Sequence, residues 1–140
     1  MAAEVITTTF QVPVELSTTN TEHGLWGNVT GDSYTLAGAT FQTGTAITGD
    51  NTNYFRLNLH LDAAAGVHTT VMGTLSFLTG TDAAAMTPVD FTLSTTAASL
   101  VVADGEGVSL LITDVGGTNT TIALNSCVTL HLLKGEGAAQ

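Results

Sequence analysis

The chain is cut into short runs of alternating apolar and polar residues, each closed by a cluster of Gly, Asn, Asp or Pro, and no helical periodicity runs through a helix-length window. The clearest run is NYFRLNLHL, residues 53 to 61. Phe55, Leu57, Leu59 and Leu61 fall on one side of a strict alternation, and Tyr54, Arg56, Asn58 and His60 on the other. A period of two marks a strand with one face in a core. Comparable strand signals cover Glu4 to Leu16, Gly24 to Thr30, Ser33 to Gln42, His68 to Leu78, Val89 to Ser94, Ala98 to Ala103, Gly107 to Val115 and Thr120 to Leu133. The clusters TGDNTN, AAAG, DGEG and GGTN between them supply the Gly and Asn that turns with positive φ require. Eight or nine short strands at this spacing, with no helices between, predict an all-β antiparallel sandwich or jelly roll, with a closed barrel as the rival. Thr81 to Met86 and Leu61 to Gly66 are the only candidate helical turns.

A length of 140 residues fits one domain with its own core, drawn as residues 1–134 followed by a polar tail, residues 135–140. Pro13 and Pro88 suit a sheet edge and a strand entrance, where a ladder donor can be spared. Twelve acids against Arg56 and Lys134 give a formal charge of -10. Nucleic acid and anionic membrane surfaces both need clustered Lys and Arg, so neither is an expected partner. Polarity comes mainly from 27 threonines, together with Ser, Asn and Gly, rather than from ion pairs. β-Branched Thr favours pleated sheet. The single Cys127, in NSCVTLHLL, has no partner for an internal disulfide and reads as a buried strand position. No run approaches a membrane span, and the first ten residues, MAAEVITTTF, lack the basic start and apolar core of a signal peptide. The expectation is a soluble protein made in the cytoplasm.

The polar row Tyr54, Arg56, Asn58 and His60 joins a phenol, a cation, an amide and an imidazole, the groups of a sugar-binding or protein-binding face and also of an ordinary solvated one. In so acidic a chain, Arg56 is expected to hold a carboxylate from a neighbouring strand or subunit, because its planar fork suits bidentate pairing. His60 and His131 would lie side by side if their strands paired. Among His23, His60, His68 and His131, none stands at metal-ligand spacing from another His or from Cys127, so no metal or other cofactor is expected. DGEG, Asp104 to Gly107, lacks the alternating oxygen ligands of a calcium loop and reads as a tight hairpin turn, and TGDN around Asp50 reads likewise as a turn. GDSYT, Gly31 to Thr35, starts like a nucleophile elbow but has Thr35 where the second Gly belongs. The sequons at Asn28 and Asn119 are near chance number for this composition. The expectation is a protein that is not an enzyme.

The strand-and-turn style of YTLAGATF, ITGDNTNYFRLNL and SLVVADGEGVSLLI resembles the small structural proteins of tailed-phage virions, in particular capsid decoration (cement) proteins. AMTPVDF, Ala85 to Phe91, is similar to a segment of a lambda-type decoration protein. Several strands here are longer and more regular than that loop-rich family would have. The resemblance implies a virion protein on the capsid surface whose partners are the major capsid protein and sister subunits, often as a homotrimer. Expected contact residues are Val5, Thr7 and Thr9 in the N-terminal strand, able to extend a sheet edge, with Tyr54, Arg56, Asn58, His60 and Lys134. The rival function is a glycan-binding or tail-fibre β-domain that would use Trp26 with the Tyr54 to His60 row. A cupin-type enzyme would need histidines converging inside the barrel.

Overall fold

The computed structural model describes residues 5–11, 21–63, 66–116 and 126–135. It contains β1 (Val5–Gln11), β2 (Thr21–Gly27), β3 (Tyr34–Gln42), β4 (Tyr54–Asp62), β5 (Thr70–Ser76), β6 (Val89–Asp90), β7 (Thr92–Leu93), a 3-10 turn (Ala97–Leu100), β8 (Val101–Val102), β9 (Gly107–Val115) and β10 (Cys127–Lys134). Every pairing is antiparallel. Sheet A runs β1-β10-β3-β6, with β8 also on β3, and sheet B runs β2-β9-β4-β5-β7. The first strand pairs with the last and the second with the next to last, while β4 pairs with β5 at the middle of the chain. This nesting is the connectivity of a double-sheet jelly roll. Two separate sheets rule out the closed barrel.

The alternation read in the sequence becomes the core. Phe55, Leu57 and Leu59 of β4 face inward with Val108, Leu110 and Ile112 of β9, against Leu36, Phe41, Val128, Leu130 and Leu132 of sheet A, and all are buried. Phe41 and Phe77 meet edge to face with ring centroids 5.9 Å apart. Each such side chain contributes roughly 1.5–3 kcal/mol through removal from water. Three register shifts bend the strands, leaving Leu25, Ala37 and Met72 without direct cross-strand partners. Beside the first, Gly107 is required, because a Cβ there would come within 2.7 Å of the Trp26 carbonyl.

Loops at both ends are tied by buried or bidentate polar groups. Asn28 is fully buried: its amide donates to the Asp32 and Val102 carbonyls (2.8 and 3.0 Å), and its Oδ1 accepts from the Thr30 N–H and hydroxyl (3.1 and 2.8 Å). This fills the amide's hydrogen-bonding capacity and closes the Asn28 sequon to modification. At the opposite end, the loop after β3 is clasped to the loop after β5 through the Ile47–Ala83 bridge and an Asp82 carboxylate that accepts the Gly49 N–H at 2.7 Å. A methyl group on Gly49 would collide with the Leu78 carbonyl. Asp50 Oδ1 accepts the Thr52 and Asn53 N–H groups (2.6 and 2.7 Å), so TGDN is the turn expected.

Several expectations are corrected. DGEG is a tight turn, with Glu106 N–H donating to the Ala103 carbonyl at 3.0 Å, but not a hairpin. β8 belongs to sheet A and β9 to sheet B, so the turn carries the chain between layers. Asp104 accepts the Gly31 N–H at 2.9 Å. The strand expected over Ala98 to Ala103 is half 3-10 turn, and Thr81 to Met86 is not helical, since Ala83 bridges to Ile47. Pro88 does stand at a strand entrance, directly before β6. Pro13, Asn119 and tail residues 136–140 lie outside the described residues.

Candidate functional site

The outer face of sheet B carries the row that the alternation of β4 predicted. Tyr54, Arg56 and Asn58 are half-buried there. Among the described residues, Arg56 is engaged by Tyr54 rather than by a carboxylate: its guanidinium donates to the phenol oxygen at 3.0 Å and lies 5.8 Å from the ring centroid. The expected intrachain carboxylate partner of Arg56 is therefore replaced by a cation–π and hydrogen-bond pair. Asn58 Oδ1 is buried without a hydrogen-bond partner among the described residues.

His60 is not a solvated member of this row. It is 7% exposed, and its Nδ1–H donates to Glu22 Oε1 at 3.1 Å. Ser109, opposite His60 in the β4–β9 register, places its hydroxyl against Glu22 Oε1 and 2.8 Å from Asp62 Oδ1. His68 Nδ1 lies 3.5 Å from Asp62 Oδ1. Two imidazoles, two carboxylates and a hydroxyl thus join β2, β9, β4 and the loop after β4. A serine hydroxyl has a single proton, so here it serves two carboxylate oxygens. A nucleophile relay needs the imidazole on the hydroxyl, whereas here a carboxylate stands between them. The knot is arranged to hold strands together. Glu22 and Ser109 carried no sequence signal, because only strand order brings residues 22, 60 and 109 together. Asp62 was readable, since it lies two residues beyond His60 and therefore on the same face.

His131 is on sheet A and His60 on sheet B, so their strands do not pair and the condition for the two imidazoles to lie side by side is not met. His131 sits opposite Gly38 on β3 and Thr7 on β1. Val5, Thr7 and Thr9 are opposite Leu133, His131 and Thr129 in a continuous seven-residue register, which makes β1 the edge of sheet A, already joined to its own sheet. Lys134 reaches Asp32 at 3.2 Å. Cys127 is half-buried rather than buried and lies opposite Gln11 and Gln42.

The three long strands of sheet A, β1, β3 and β10, contain no Asp or Glu. On sheet B, β2 carries Glu22, β4 carries Asp62 and β9 carries Asp114. Trp26 does not join the Tyr54 row either. It packs inward, edge-on to buried Tyr34 at a centroid distance of 5.8 Å, and borders a shallow open groove of about 520 Å³ together with Gly24, Gly27, Asp62 and Glu106. Among the described residues no group of three His, Cys, Asp or Glu is placed to hold a metal ion, and no helix is long and apolar enough to cross a membrane. The Asp50 carboxyl is held below its ordinary range by the Asn53 and Thr52 N–H groups.

No protein-family model matches the chain, and the search of curated proteins gives no match. Among solved structures, the chain is similar to one from infectious bursal disease virus, Gt strain, at 12% identity and a TM-score of 0.31, over 96% of this chain and 38% of the viral one.

Proposed function

We propose that the protein is a non-enzymatic structural component of a virion, a capsid decoration or minor capsid protein that attaches to an assembled shell and stabilises it. The carrying observation is the distribution of charge over the jelly-roll frame. In a chain of formal charge -10, three adjacent long strands of sheet A are free of acids. An acidic surface disperses copies in solution, and a hydroxyl-rich stretch free of acids lets one side meet another protein with little charge to desolvate. Jelly rolls recur in viral capsid domains, and the strand-and-turn style of the sequence resembles phage decoration proteins. Binding a site that exists only on the assembled shell would stabilise the shell by mass action.

The reading places the protein on the capsid surface after synthesis in the host cytoplasm, with the shell protein and sister copies as partners. It is tested on particles of the virus that encodes the chain. The protein should be present in purified virions, and added protein should rebind shells from which it has been stripped. Virions without it, or stripped shells that fail to take it up, would refute the reading.

Lectins share this architecture, so a glycan module is the competing use of the same frame. The aromatic residues it would enlist are divided, with Trp26 turned into the sandwich and Tyr54 on the outer face. Saccharide binding by the isolated protein would favour that reading instead.

A further inference from the structure

The jelly roll exposes edges on two opposite sides, and they are guarded unequally. A bare strand edge presents unpaired N–H and C=O groups and invites pairing, so proteins blunt edges with short strands, bulges, charges or Pro. On one side the outer strands β6, β7 and β8 are two residues long. On the other, β2 is interrupted by the register shift at Leu25 and carries Glu22, Gly24 and Gly27. β1 has none of these devices. VITTTFQ contains no charge, Gly or Pro, its register with β10 is continuous, and among the described residues nothing pairs with its outer side.

We propose that the outer edge of β1 pairs antiparallel with β1 of a second copy about a two-fold axis centred on Thr8, joining two copies of sheet A into one continuous sheet. The occupant follows from charge and from sequence symmetry. A second copy also carries a formal charge of -10 and approaches most closely where acids are fewest: β1, β10 and β3 contain none, and Glu22 of β2 is the acid at that side of the sandwich among the described strands. Centring on Thr8 sets Thr7 opposite the second copy's Thr9 and Ile6 opposite its Phe10. Thr–Thr and aromatic–β-branched pairs are the favourable cross-strand combinations. Ile6, Thr8 and Phe10 occupy register positions opposite buried Leu132, Leu130 and Val128. A two-fold pair replaces the trimer implied by the phage resemblance. The contact belongs to the free protein and stands independently of shell binding.

The test begins with the mass of the full chain in solution, expected at twice 14.3 kDa by sedimentation or light scattering. The pair should tighten between about 0.05 M and about 0.5 M salt, because added ions screen the repulsion between two acidic bodies. Thr8→Cys in a Cys127→Ala background should form a covalent dimer on oxidation, since directly opposed antiparallel residues lie within disulfide reach. Thr40→Cys, on the outer face of sheet A but away from the β1 edge, should not. Thr7→Lys combined with Thr9→Lys sets like charges opposite each other and should halve the measured mass while circular dichroism stays that of a folded β protein. A monomeric or trimeric wild-type chain, a Thr8→Cys protein that does not crosslink, or a dimer that survives the paired lysines would each overturn the inference.

Discussion

Sheets A and B are built alike on the inside and differently on the outside. Leu130 of β10 and Leu110 of β9 are both fully buried at the centre of their layers. Outside, the long strands of sheet A present Thr35, Thr40, Thr129 and His131, whereas sheet B gathers Glu22, His60, Asp62 and Ser109 into a knot. Burial therefore fixes the shared frame, and the outer faces are where each layer is given its own task. The most forceful way to break this comparison is to cut the core on each side. Leu130→Ala and Leu110→Ala should each cost about 2–5 kcal/mol in urea denaturation, through lost burial plus the cavity left behind. A loss confined to one of them would mean that the two layers do not share a single core.

A smaller effect should separate the outer faces. Ser109→Ala removes the hydroxyl that joins Glu22 to Asp62, leaving Glu22 with His60 and Asp62 with His68, and should cost about 0.5–1.5 kcal/mol at neutral pH. Thr40→Ala, at a comparable position on sheet A, should change stability by less than about 0.5 kcal/mol. If the two substitutions proved equal in denaturant titrations, the knot would not be a structural feature peculiar to sheet B.

What could be read in the sequence tracks the range of the interactions involved. The inward row of β4 and the opposed rows of β10 were legible because alternation is a local property of the strand. The two-sheet frame followed from the number and spacing of the runs. The crossing at DGEG was hidden, since a turn looks the same whether the next strand joins the same sheet or the other. The inward packing of Trp26 was not legible, because the shift at Leu25 breaks the alternation of β2 and only neighbouring Gly24 and Gly27 hint at it. His60 was placed on the correct face, but its burial depends on Glu22, 38 positions away in the chain. Arg56 and Tyr54 lie two residues apart on one strand, so their contact was within reach of the alternation argument.

The finest distinction concerns charge that belongs to neither outer face. Asp50 sits in the loop that carries the chain from β3 of sheet A to β4 of sheet B, and its carboxylate accepts two backbone N–H groups. These bonds favour the ionised form and lower the folded-state pKa beneath its ordinary value of 3.8. A carboxyl with a depressed folded pKa contributes stability that is present above the unfolded pKa and disappears as pH falls through the folded one. Asp50→Asn keeps an acceptor oxygen in the turn but removes the ionisation. Thermal melts of the two proteins should therefore differ at neutral pH, with the native chain higher, and converge as the pH drops below 3.8. The difference should be the smallest of those considered, because the carboxylate is fully exposed to solvent. A gap that persists unchanged at low pH would assign the turn's stability to side-chain shape rather than to charge.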